Sequence, residues 1–162
     1  MIRCYHARRV ELVVDTEPQL FYDGPMISPL IATIDSDKES LEDIWDCCNN
    51  SCWWGRRDFR RMKNCRNKFK VKFTKEYSGY CNDDLIVEMN GVYYVAKRCG
   101  WEECSSFESA LMYCRYHSIW RQLHDKDHQH PTGKEHTMDE LRQFKKSYNK
   151  QGIKAYIIRD AR

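Results

Sequence analysis

Alternation between apolar and polar positions predicts strands in the first part of the chain. Val10, Leu12 and Val14 recur at every second position, which is the period of a strand with one buried face. A turn is expected at residues 22–25, where the sequence reads Tyr-Asp-Gly-Pro, and a second strand is expected over residues 27–35.

From residue 41 onward the spacing of apolar residues changes to that of an amphipathic helix. Leu41, Ile44, Trp45 and Cys48 lie at i, i+3, i+4 and i+7, and Ser40 is placed to cap the helix. Helical spacing continues through residues 54–69, which predicts a second, strongly basic helix. Apolar residues at 69, 71 and 73 alternate with lysines, so this stretch predicts a strand with a row of lysines on its outer face.

The strongest local signal of the second half is a hairpin. Asn90-Gly91 lies between two alternating segments, residues 84–89 and 92–97, and this dipeptide is typical of a two-residue type I′ turn. The sequence therefore predicts two antiparallel strands here.

Two capping boxes predict the remaining helices. Ser105-x-x-Glu108 precedes a long apolar pattern over residues 107–123, and Thr137-x-x-Glu140 precedes a helix that Gly152 should end. A last strand is expected over residues 153–159. Together the elements predict an α+β fold: a single compact domain spanning residues 1–162, with a mostly antiparallel sheet of about six strands and three to four helices.

Composition narrows the class of protein. The chain has 162 residues, 41% of them apolar, which is enough to bury a core without metals or crosslinks. It has no apolar run of the roughly 18 residues that a membrane span needs and no secretory signal. The nine cysteines are odd in number and form no CxxC pair, so reduced thiols and a cytoplasmic location are expected.

Charge is distributed very unevenly along the chain. Residues 1–50 hold four basic and ten acidic groups, residues 51–75 hold ten and one, and residues 76–162 hold thirteen of each. Clustered Lys and Arg bind phosphate backbones, and aromatic rings can stack on bases. A solvated basic face with core aromatics is the alternative interpretation. The candidate residues for binding nucleic acid or a partner are Trp53, Trp54, Arg56, Arg57, Arg60, Arg61, Lys63, Arg66, Lys68, Lys70 and Lys72.

A histidine-rich stretch offers possible metal ligands. The candidates are His124, Asp127, His128, His130 and His136, whose imidazole and carboxylate groups suit a divalent metal. Asp127-His128-Gln-His130-Pro131 resembles the start of the metal-binding motif of HNH nucleases. That resemblance implies His128 as the general base and Asp127 as a metal ligand. A polar loop between helices is the simpler interpretation of the same residues.

A second candidate metal site involves cysteines. Cys99, Cys104, Cys114 and His117 could supply the four ligands of a structural zinc. Cys114 also belongs to the apolar stripe of the predicted helix, and buried free thiols explain these cysteines more simply.

Two resemblances bear on context. The segment LFYDGPMISPLIATID, with the excess of Tyr, Trp, Cys and Lys, resembles the small accessory proteins of large lytic bacteriophages. Such a protein would bind and block a host machine in the host cytoplasm, commonly a nucleic-acid enzyme or a defence complex. The hairpin followed by WEECSSFESALMYC is similar in layout to the three strands and helix of AP2-like DNA-binding domains.

These observations favour a non-catalytic protein without a cofactor, whose basic segment 53–75 engages nucleic acid or the nucleic-acid groove of a host enzyme. Two alternatives remain: a phage-encoded inhibitor that contacts a host defence or nucleic-acid-processing protein, and a metal-dependent HNH-like nuclease using residues 124–136.

Overall fold

A computed structural model describes residues 1–49, 63–78, 84–97, 99–124 and 134–161, with the backbone alone for residues 116–124 and 160–161. The strands are β1 (Ile2–His6), β2 (Arg8–Val14), β3 (Leu20–Ile27), β4 (Leu30–Ile34), β5 (Lys72–Phe73), β6 (Leu85–Met89), β7 (Val92–Lys97), β8 (Gly100–Cys104) and β9 (Ala155–Ala161). The helices are α1 (Leu41–Cys48), α2 (residues 63–68), α3 (Phe107–His124) and α4 (Met138–Lys150).

These elements confirm the α+β class. One sheet has six antiparallel strands in the order β5-β4-β1-β6-β7-β8, and a second has three, in the order β3-β2-β9. The chain divides into two compact units, residues 1–7 with 28–114 and residues 8–27 with 115–162. The expectation of a single domain over residues 1–162 stays a prediction. Of the helices in the described ranges, none has the length and apolar character needed to cross a membrane.

The first unit is built around the six-stranded sheet. Apolar side chains from β1, β4 and β6 form a buried cluster with α1, which contributes Ile44, Cys47 and Cys48. Ser40 caps α1 as predicted, because its hydroxyl accepts the backbone N–H of Asp43 at 3.1 Å. The Asn90-Gly91 turn is also confirmed, since both residues have positive φ and join β6 to β7 in register.

The second unit packs α4 against one face of the three-stranded sheet. Val10, Leu12 and Val14 alternate toward this face, as their period predicts, and bury Leu141 of α4. The Thr137 capping box is present in full, with the Thr137 hydroxyl accepting the N–H of Glu140 at 3.2 Å. Helix α4 ends just before Gly152, whose φ is +76°.

The opposite face of β2 buries charged groups. Arg9 Nη2 lies 2.9 Å from Glu11 Oε2, and Arg9 Nη1 lies 3.5 Å from Asp23 Oδ1. The side chains of Arg9 and Glu11 are only 7% and 4% exposed. The pairing register of β2 shifts between these two residues toward both neighbouring strands. Charges this deep must be paired, because their desolvation is costly.

The turn predicted at residues 22–25 is wrong, because these residues continue β3. A Cβ on Gly24 would lie 2.5 Å from Leu141 Cδ1 and 2.9 Å from the Val10 carbonyl oxygen. The glycine is therefore needed for close packing under α4 and not for a chain reversal. The cap of α3 is also shifted by one residue, since the Ser106 hydroxyl, not that of Ser105, accepts the Ser109 N–H at 3.1 Å.

The strand predicted over residues 69–73 is shorter than expected. Helix α2 runs to residue 68, and Lys70 then adopts a left-handed conformation with φ of +50°. The Val71 N–H reaches back to the Arg66 carbonyl at 3.2 Å and closes the helix end, so only Lys72 and Phe73 pair with β4. The single outward row of lysines is therefore wrong, because the three lysines lie on a helix, a turn and a strand.

Candidate nucleic-acid interface

The described part of the basic segment presents a dense set of cations. Residues 63–75 contain six basic side chains and no carboxylate. Five of the six are lysines, and all five are exposed. We call these five residues the lysine surface: Lys63, Lys68, Lys70, Lys72 and Lys75.

The backbone beneath the lysine surface is firmly anchored. Cys65 and Phe69 are buried in the core of the first unit and fix α2. After β5, Thr74 donates its backbone N–H to the Ile31 carbonyl at 2.9 Å, and its hydroxyl donates to the Leu30 carbonyl at 2.6 Å. The exposed lysines thus project from a segment whose apolar positions and backbone are held in place.

Among the described residues, no acidic side chain compensates the charge of the lysine surface. No described carboxylate lies within ion-pair distance of any of its five ammonium groups. Lys68 Nζ lies 4.5 Å from the centre of the Phe69 ring, a contact that leaves the cation at the surface. Charges of one sign that are not neutralised locally attract a polyanion over a distance of about 10 Å at 0.1 M salt.

Arg66 differs from the lysines because its guanidinium is used inside the protein. Its Nε donates to the Cys47 carbonyl at 2.9 Å, near the C-terminal end of α1, and its Nη2 donates to the Tyr77 hydroxyl. The guanidinium carbon also lies 4.7 Å from the centre of the Phe73 ring. Arg66 therefore joins α1, α2 and the segment after β5, and these contacts compete with phosphate binding.

The described aromatic residues of this region are also engaged. Phe73 and Tyr77 stack on each other with ring centres 4.1 Å apart, and both pack against the core of the first unit. Their rings are thus shared with one another and with Arg66, so base stacking would have to come from elsewhere. The remaining candidates lie outside the described residues: Trp53, Trp54, Arg56, Arg57, Arg60 and Arg61.

Of the histidine-rich candidates, the structure describes the surroundings of His136 alone. Its backbone N–H donates to the Asp23 carbonyl at 2.7 Å, and its Nδ1 lies 3.1 Å from Glu140 Oε2. Its ring meets Tyr22 and Phe144 edge-on within the second unit. The hydrogen bond from His136 lowers the pKa of Glu140. His136 is a buried, hydrogen-bonded histidine of the core, and one ring nitrogen is already used.

The other histidine-rich candidates fall outside what the structure describes. Asp127, His128 and His130 belong to the undescribed residues 125–133, and His124 ends α3 with its side chain undescribed. The HNH resemblance and the metal site it implies therefore stay predictions.

The cysteine candidates do not come together in the described region. Cys99 is exposed whereas Cys104 and Cys114 are buried, and the side chain of His117 is undescribed. The seven described cysteines, at 4, 47, 48, 65, 99, 104 and 114, form no disulfide. Burial raises the pKa of the Cys47 thiol above its usual range and that of Cys104 in the same direction. Such thiols are poor nucleophiles at neutral pH.

The sequence predicts that the carboxylates around α1, Asp43 and Asp46 among them, form a solvated acidic surface, and the structure brings a thiol from α2 close to these two. Asp43 and Asp46 lie one turn apart on α1, and their oxygens and the Cys65 sulfur are all within 4.8 Å of one another. The helical spacing of the two aspartates was visible in the sequence, but their approach to α2 depends on tertiary packing. Two carboxylates and a buried thiol do not by themselves identify a metal.

The net charge summed over residues 76–162 did not reveal a second group of basic residues. Residues 76–162 are neutral overall, yet the outer face of α4 carries four cations, Arg142, Lys145, Lys146 and Lys150. The signal that could have revealed them is their i, i+3, i+4, i+8 spacing within one amphipathic helix.

With this geometry in view, comparison of the chain with models of protein families, with curated proteins and with solved structures finds no match. β6, β7 and β8 form an antiparallel meander followed by α3, but the likeness to AP2-like domains remains one of layout. The resemblance to phage accessory proteins likewise stays a prediction.

Proposed function

We propose that this protein is a non-catalytic nucleic-acid-binding protein, and that the lysine surface contacts the phosphate backbone. The single observation that carries the proposal is the set of five exposed lysines within residues 63–75, a stretch without any carboxylate. Lysine ammonium groups act as point charges with little directional demand, which suits phosphates that repeat along a strand.

The engagement of the aromatic residues and of Arg66 supports binding that does not depend on base sequence. Arg66 and the Phe73–Tyr77 stack are used within the protein, so the described groups left for the ligand are lysines. Phosphate contacts position a protein on nucleic acid but carry no sequence information. We therefore expect similar affinity for unrelated sequences and a strong dependence on salt.

The proposal places the protein in the cytoplasm. The seven described cysteines form no disulfide, which is compatible with a reducing compartment. Nucleic acid of a host or of an infecting phage would be accessible to the protein in the cytoplasm.

Fluorescence anisotropy with labelled mixed-sequence duplex DNA, single-stranded DNA and RNA would test the proposal. If three of the lysines contact phosphates, the slope of log K against log salt on duplex DNA falls in magnitude by about 2.7 when they are neutralised. The test variant is Lys68→Gln/Lys70→Gln/Lys72→Gln. The control is Lys38→Gln/Lys134→Gln/Lys154→Gln, which removes three exposed lysines from other positions.

The test and control variants each lose three positive charges, so any difference in their affinities reflects where the substituted lysines lie. We expect the control to bind within about twofold of the unsubstituted protein and the test variant to bind at least about tenfold more weakly at 0.1 M salt. Equal weakening of the two variants would show that net charge alone drives association. Absence of binding to every probe at low salt would overturn the proposal and point to an acidic protein partner.

A further inference from the structure

Helix α4 has two contrasting faces. Its inner face buries Leu141 and packs Phe144 and Tyr148 against the three-stranded sheet of the second unit. Its outer face carries the cations named above, which we call the α4 basic face: Arg142, Lys145, Lys146 and Lys150. With Asn149 they line an open depression of about 450 Å³.

Three of the four cations have no acidic partner in the described part of the chain. No described carboxylate lies within 4.0 Å of the ammonium groups of Lys145, Lys146 or Lys150. Arg142 pairs with Asp139 at 3.1 Å, but both side chains are more than half exposed. An exposed pair of this kind contributes about 0–1 kcal/mol, so a phosphate could readily displace the carboxylate.

The remaining group of the depression can also donate a hydrogen bond. Asn149 Oδ1 accepts the backbone N–H of Ala155 at 3.1 Å, which leaves the amide nitrogen as the group available to a ligand. The charged groups that line the depression are therefore all cations, which favours an anionic ligand.

Helix stabilisation explains only part of this pattern. A cation in the last turn interacts favourably with the helix dipole, and Lys150 lies there. Lys145 and Lys146 lie before the last turn, where the effect has faded, and Arg142 lies one turn nearer the N-terminus. Their grouping on one face is better explained by an external anion.

The spacing suits a repeating phosphate chain. Eight residues separate Arg142 from Lys150, which is about 12 Å along a helix axis. Each strand of a duplex places one phosphate per about 3.4 Å of axis, so this length is matched by about three phosphates. The Thr137 capping box and the Gly152 end fix the extent of α4 and present the cations on a rigid element.

We infer that the α4 basic face is a second site for the phosphodiester backbone of nucleic acid, independent of the lysine surface. It shares its ligand class with the proposed function but uses none of the same residues. A nucleic acid long enough to reach both sites would be bound more tightly than by either site alone, because the second contact would form at a high effective concentration.

The test compares Lys145→Gln/Lys146→Gln/Lys150→Gln with the unsubstituted protein on the labelled duplex over 50–300 mM salt. Loss of three contacts predicts a salt slope smaller in magnitude by about 2–3 and at least about tenfold weaker binding at 0.1 M salt. Lys145→Arg/Lys146→Arg/Lys150→Arg should keep the salt slope and the affinity of the unsubstituted protein, because the positive charges are retained. Circular dichroism and urea unfolding check that both variants remain folded.

The two proposals fail in distinguishable ways. If the α4 glutamine variant binds with unchanged slope while the Lys68/Lys70/Lys72 variant is weakened, the α4 inference is wrong and the proposed function stands. If the α4 variant alone is weakened, the α4 basic face is the binding site and the assignment to the lysine surface is wrong. If the unsubstituted protein binds no probe, both are overturned.

Discussion

Substitution of Arg66 tests whether the basic residues of segment 53–75 all serve ligand binding or whether some stabilise the fold. The sequence groups it with the phosphate-binding candidates, whereas the structure engages its guanidinium with Cys47, Tyr77 and Phe73. Arg66→Ala removes those contacts while leaving every residue of the lysine surface in place. We expect this variant to lose stability and to keep the salt dependence of binding.

The magnitude follows from the three contacts. A hydrogen bond from a charged donor to the Cys47 carbonyl contributes about 1.5–3 kcal/mol, and stacking of a guanidinium on Phe73 contributes about 0.5–2 kcal/mol. Because the three contacts share one group, their contributions overlap and do not add fully. A loss of about 2–4 kcal/mol in the free energy of unfolding is therefore expected.

Urea unfolding followed by tryptophan fluorescence would measure the change. Lys68→Ala is the matched control, because Lys68 is on the same helix, is exposed and should change stability by less than about 0.5 kcal/mol. Arg66→Lys keeps the charge but not the planar fork, so it should restore only part of the loss. A loss below about 0.5 kcal/mol for Arg66→Ala, together with a reduced salt slope, would refute the structural role.

Three further predictions concern the second unit. Gly24→Ala should cost about 1–3 kcal/mol in urea unfolding, because the new Cβ meets Leu141 Cδ1 at 2.5 Å; unchanged stability would contradict this packing. Arg9→Met should cost about 3–5 kcal/mol, because it removes the buried guanidinium that pairs with Glu11 and Asp23, and Arg9→Met/Glu11→Leu should recover part of that loss, so a double variant less stable than the single one would argue against a coupled pair. Burial, with a hydrogen bond to Tyr148, raises the pKa of Tyr22 to about 12 from 10.0, so the stability that Tyr22 contributes is complete below pH 10 and is lost as pH rises toward 12. Burial also raises the pKa of Tyr5 to about 12, so an ultraviolet phenolate titration of Tyr22→Phe should lose one tyrosine's share of the late step and keep the rest; an unchanged amplitude of that step would contradict its assignment to Tyr22.

The basic segment 53–75 could be identified from the sequence, but the role of each residue in it could not. The lysines are exposed, as their polar positions predict, although Lys68, Lys70 and Lys72 lie on a helix, a turn and a strand and not in the predicted row. Arg66 is also basic and has a similar position in the pattern, yet its Nε donates to the Cys47 carbonyl, 19 residues away in the chain. Local periodicity cannot distinguish a solvated cation from one that satisfies a distant carbonyl.

Several features of the fold could be predicted because they depend on the chemistry of short segments. The caps at Ser40 and Thr137 and the Asn90-Gly91 turn each rest on interactions among residues a few positions apart, and the alternation along β2 shows which of its faces is apolar. Such interactions are encoded in short segments, and their physical requirements are specific enough to be read there.

Contacts between residues far apart in the chain could not be predicted and were found only in the folded structure. The division into a six-stranded and a three-stranded sheet, the approach of Gly24 to α4 and the use of Arg66 between two helices all depend on contacts between remote segments. The pairing of Arg9 with Asp23 is of the same kind. Burial and long-range pairing are properties of the packed chain, and several packings are compatible with the same local periods.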